Sequence, residues 1–128
     1  MWEEWRDYAQ KHEAFWQNHL EKGLLKAEYV RDYVLRLWFE EELDVSIYEL
    51  DFYRLLVTEN PGGVWLPLRD KERFCFVEGN YTLMWFNAKN SDEEQPVIDM
   101  APECVRFFCE KSGQLLKAPA VRAVKKAQ

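Results

Sequence analysis

Reactive side chains are scarce in this chain. Two histidines and three cysteines are spread over 128 residues, and no assembled catalytic motif surrounds any of them. His12 and His19 stand seven residues apart, about two helical turns, whereas two ligands of one metal on one helix usually stand four apart. Neither is tied by spacing to a nucleophile or an orienting carboxylate, as a general base would be. Cys75, Cys104 and Cys109 have no metal or redox spacing, and their odd number suits reduced thiols in a cytoplasmic protein. Cys104 falls in the first turn of a predicted helix, where the dipole would lower its pKa. Pro61-Gly62-Gly63 lacks the Lys-Ser/Thr of a phosphate loop, and no dinucleotide fingerprint occurs. These absences point to no metal, no cofactor, and a binding role rather than an enzymatic one.

Long apolar runs are missing too, so no membrane contact is expected. The opening Met-Trp-Glu-Glu-Trp-Arg-Asp has neither a basic nor an apolar leader segment, which predicts a cytoplasmic location. Acid is absent from residues 111–128, which hold Lys111, Lys117, Arg122, Lys125 and Lys126. The first 110 residues carry all 23 acidic residues and 12 basic ones, a net of −11. Such a body repels nucleic-acid phosphate, so nucleic acid could be met through the basic tail alone. Residues 1–113 are read as one α+β domain and 114–128 as a basic, flexible tail.

Aromatic side chains, in contrast, are abundant: six Trp, six Tyr and eight Phe. Trp5, Tyr8, His12, Phe15 and Leu20 recur at helical steps and predict a helix over 2–22 that stops at Gly23. Tyr29, Val30, Tyr33, Val34, Leu37 and Trp38 form a second stripe, predicting a helix over 26–42. Ser46-Ile47-Tyr48-Glu49 reads as a capping box that opens a third helix, ended by Asn60-Pro61-Gly62-Gly63. Val64–Leu68 with Pro67 suits an edge strand. Arg73–Glu78, Gly79-Asn80 and Tyr81–Asn87 read as a two-residue hairpin pairing Val77 with Thr82 and Phe74 with Trp85. Its two faces are both apolar, so each should be covered. Pro96–Met100 is a last short strand, and Pro102 opens a helix through Lys111 that ends at Ser112-Gly113. The predicted fold is therefore three N-terminal helices, a small antiparallel meander over about 64–100, and a C-terminal helix.

That order resembles a winged helix, but Ser46–Arg54 sets one basic residue against two acids, unsuited to reading DNA. The functional expectation is a protein-binding domain, inhibitory like an immunity protein or an accessory subunit, docking on a basic surface. Rings that one small core does not easily absorb are its anchors: Trp2, Trp5, Trp65, Phe74, Phe76 and Trp85. Acidic clusters at Glu41 and Glu42 and at Asp92, Glu93 and Glu94 would steer the encounter. A self-complementary version is a homodimer through a hairpin face. The alternative function is a small-molecule binder or simple enzyme with an aromatic-lined pocket between helices and sheet.

Overall fold

A computed structural model describes residues 1–12, 23–86 and 98–120. Helix α1 spans Trp2–Lys11; residues 13–22 of the helix expected there lie outside the described residues. Strands β1 (Leu24–Arg31), β2 (Val34–Glu40) and β3 (Val45–Asp51) follow. A π-helical turn covers Arg54–Thr58, a 3-10 helix Gly63–Arg69, and a one-turn helix α2 Lys71–Phe74. Strands β4 (Val77–Asn80), β5 (Thr82–Trp85) and β6 (Ile98–Met100) precede helix α3 (Pro102–Ser112) and strand β7 (Gln114–Lys117). The described residues thus hold five helical segments and seven strands in two antiparallel sheets, ordered β1-β2-β3-β7 and β4-β5-β6.

The layout is roughly α+β, but the expectation of three N-terminal helices is wrong. Residues 26–42 and 46–57 form β1, β2, β3 and the π turn instead. The stripe Tyr29/Tyr33/Leu37 competes with a period-two pattern, and the period-two pattern wins. Leu35, Leu37 and Phe39 of β2 are buried, as are Ser46, Tyr48 and Leu50 of β3, with half-exposed residues between them. The hairpin joining β1 to β2 turns at Asp32-Tyr33, with Tyr33 at φ 60. A left-handed tyrosine costs about 1–2 kcal/mol, and tertiary contacts offset it. The Tyr33 hydroxyl donates to the Arg69 carbonyl, its own carbonyl accepts from Phe52 N at 2.7 Å, and its ring lies 5.0 Å from Phe74.

Ser46 caps no helix. It is fully buried, and its hydroxyl donates to Glu41 at 2.7 Å. Glu49, the other half of the expected capping box, accepts from Arg31 (3.1 Å) and Arg36 (3.2 Å). Val64–Leu68 is 3-10 helix rather than an edge strand, with Trp65 N donating to Gly62 O and Asp70 N to Pro67 O, each at 3.2 Å.

The second hairpin exists in another register. Val77 pairs with Trp85 and Asn80 with Thr82, so the chain turns about Tyr81 at φ 66. Phe74 leaves the strand because the Asp70 carboxylate accepts from Glu72 N (3.0 Å) and starts α2. Gly79 serves close approach rather than the turn: a Cβ there would stand 2.6 Å from the Ala27 nitrogen. The two sheets meet at this point, linked by Leu24 N donating to Tyr81 O (2.9 Å) and Tyr81 N returning to Leu24 O (2.6 Å).

One apolar core runs through both sheets. Phe52, Phe74 and Trp85 are fully buried with ring centroids 5.7–6.3 Å apart. Helix α3 starts at Pro102, whose missing N–H is harmless in a first turn, and buries Val105, Phe107, Phe108 and Cys109. Residues Gln114–Lys117, assigned from the sequence to the tail, pair with β3 at the sheet edge. Residues 121–128 lie outside the described residues.

Candidate functional site

Trp2, Trp5 and Tyr8 recur every three residues and share one face of α1. Trp2 is 7% exposed; its indole N–H donates to the Leu55 carbonyl at 2.8 Å, and its ring lies 5.2 Å from Phe108. Trp5 is half-buried, 5.5 Å from Phe107, and Tyr8 lies 5.0 Å from the same ring. These contacts seat α1 on α3. Trp65 joins the assembly with its ring 5.3 Å from Trp2.

A stapled loop positions Trp65. The Asn60 side-chain amide donates to Leu56 O (2.7 Å) and Trp65 O (2.9 Å), while its oxygen accepts from Gly62 N (2.7 Å). Gly62 (φ 78) and Gly63 (φ 58) then turn through a region that side chains disfavour. The backbone emerges as the short 3-10 helix Gly63–Arg69, and Val64 (66% exposed) and Leu66 (51% exposed) stand out from it.

This 3-10 helix forms a wall of two open grooves. The first, of about 510 Å³, has Trp2, Trp5, Trp65, Met100 and Cys104 among its lining, with Arg6 and Asp99 beside them. The second, of about 650 Å³, is lined by Val57, Leu66, Pro67, Arg69, Asp70 and Arg73. An apolar ridge thus stands between hollows whose charged groups are of both signs. Exposed aliphatics gathered beside partly apolar hollows point to an interaction site more than a scattered surface leucine does.

The sequence-predicted anchors divide. Trp2, Trp5 and Trp65 come together here. Phe74 and Trp85 lie wholly in the core and have no surface to offer, and Phe76 is half-exposed next to the second hairpin. Glu41 is no surface acid: its side chain is 9% exposed and ion-paired with Arg106. Glu42 is exposed, whereas Asp92, Glu93 and Glu94 lie outside the described residues. Leu83 and Trp85 cover one face of β5 with core, and Thr82 and Met84 on the other face are half-buried. Val64 and Leu66 were missed because an edge strand was expected there. The signal for them was two aliphatics flanking Trp65 straight after Gly62-Gly63.

The reactive candidates have structural surroundings. Cys104, on the floor of the first groove, is 5% exposed, and burial, with Glu103 adding, pushes its thiol pKa well up. Desolvation therefore outweighs the helix dipole, and the thiol stays un-ionised. Burial likewise pushes Cys109 well up, with Arg106 pulling the other way. His12 ends α1, stacked 4.1 Å from Tyr8, with Nδ1 2.9 Å from the Tyr8 carbonyl; His19 lies outside the described residues. Among the described residues no three His, Cys, Asp or Glu side chains gather as a metal site, and no helix is long and apolar enough to cross a membrane.

Comparison with models of protein families, with curated proteins and with solved structures finds no match to this chain.

Proposed function

We propose that this chain is a protein-binding domain, inhibitory or accessory rather than enzymatic, whose contact surface is the Val64/Leu66 ridge with its Trp5/Trp65 groove. One observation carries the reading: Trp65 converges with Trp2 and Trp5 of α1, distant from it in sequence, beside two exposed aliphatics. Half-buried rings held by neighbours supply contact area at little entropic cost, the usual character of interface anchors. The acidic body steers a partner with a basic surface, and the apolar ridge retains it.

Affinity capture on the immobilised chain tests this, using extracts of the cells that make it. The expected result is a retained protein that Trp65→Ala and Leu66→Glu variants lose and a Leu115→Glu variant keeps. Leu115 is equally exposed but lies on β7, so it controls for an added charge. The association rate of the purified pair should fall as salt rises. A partner held equally by all the variants, or none at all, would overturn the reading.

A further inference from the structure

The same surface carries what a self-complementary contact requires. An isologous two-fold interface must present projection and recess on one patch, because each copy offers the same residues. Here Val64 and Leu66 project from the 3-10 helix, and the recesses of about 510 and 650 Å³ adjoin that helix. Charge supports a second copy as well. The protein is strongly acidic, yet the groove linings hold Arg6, Arg69 and Arg73 against Asp70 and Asp99. Mixed signs let cations of one copy meet carboxylates of the other, whereas an all-acidic rim would repel them.

A rival surface is weaker. Strand β7 is a sheet edge with Leu115 and Leu116 exposed, but Leu116 is an extra residue in a bulge opposite β3. Bulges at edges obstruct strand-to-strand addition.

Resting on the reading above, we infer that when no partner is bound, a second copy of this chain covers the Val64/Leu66 ridge and its grooves, forming a dissociable homodimer. Partner binding and self-association then compete for one surface.

Sedimentation equilibrium of the full chain tests the inference, over a concentration series. Wild type and Leu115→Glu should pass from monomer to dimer as concentration rises. Val64→Glu and Leu66→Glu should associate roughly tenfold more weakly or not at all. Both replaced side chains are more than half exposed, so the variants' far-UV circular dichroism and melting should match wild type. A wild-type monomer at every concentration overturns the inference, as does a dimer that the ridge variants leave intact. Partner capture lost in Leu66→Glu alongside a strictly monomeric wild type would sink the homodimer and leave the binding surface standing.

Discussion

Replacing Glu41 with alanine should destabilise the fold far more than removing any exposed carboxylate. Its oxygen accepts from Arg106 Nη1 and from the Ser46 hydroxyl, joining the β2–β3 loop, β3 and α3. The Arg106 guanidinium lies 5.1 Å from both the Phe39 and Tyr48 rings, and its side chain is 22% exposed. Burial alone would lower the Arg106 pKa; the hydrogen bond and charge of Glu41 outweigh it and raise the pKa. Removing one member of a buried pair costs about 3–5 kcal/mol, because the other is left buried without its partner. Arg106 keeps a 3.0 Å contact with Glu110, but that carboxylate is 58% exposed, so its support is worth well under about 1 kcal/mol.

Partial exposure of the guanidinium lowers the cost further, leaving about 2–3 kcal/mol for Glu41→Ala. In urea unfolding followed by tryptophan fluorescence, that is a midpoint lower by about 1–2 M. Glu41→Leu and Arg106→Met should each also destabilise. Glu41→Leu/Arg106→Met, with both charges gone, should return to within about 1 kcal/mol of wild type. Two results would refute the reasoning: a Glu41→Ala loss below about 0.5 kcal/mol, or a double variant showing the sum of its single losses.

Three other outcomes follow from the structure. Gly79→Ala should cost about 1–3 kcal/mol by forcing β4 off the β1 backbone, and a melting temperature equal to wild type would dispose of the close approach. Hydrogen bonds from Arg36, Arg54 and Lys117 respectively hold Glu49, Glu59 and Asp44 below the ordinary carboxylate range. Their folded pKa values lie under the unfolded ones, so the stability they give is full above about pH 5 and lost as pH falls through the folded values. Urea midpoints that stayed level or rose under acid would contradict this. A thiol reagent should modify half-exposed Cys75 in the folded protein and reach Cys104 and Cys109 only on unfolding; three thiols reacting at one rate in buffer would refute it.

The helices were legible where chain chemistry punctuates them. Pro102 at a first turn and Gly113 after the last bracket α3, and the Trp5/Tyr8 spacing marks α1. The β1–β2 and β2–β3 hairpins were not legible, because their turns carry no such punctuation. Asp32-Tyr33 has neither glycine nor asparagine, and tertiary bonds to Arg69 and Phe52 hold it. Residues 29–38 satisfy both a 3.6-residue and a two-residue period, and local pattern cannot choose between them. Ser46 and Glu49 at capping-box spacing point to opposite faces of β3 once the strand forms, which turns an expected cap into two separate ion-pair clusters. Of the candidate site, the tryptophans could be named from the sequence but their meeting could not. The Trp2–Trp65 contact joins the first helix to a loop held by the Asn60 side chain, a pairing with no local pattern to announce it.

The ridge is tested most directly by the amide-shift footprint of the captured partner on the isotope-labelled chain. Arg6, Gly62, Gly63, Val64, Leu66 and Asp99 should shift or broaden while Lys26 and Glu28 on β1 stay in place. Contradiction would be a ridge whose resonances do not move while those of β1 or the β4–β5 hairpin do.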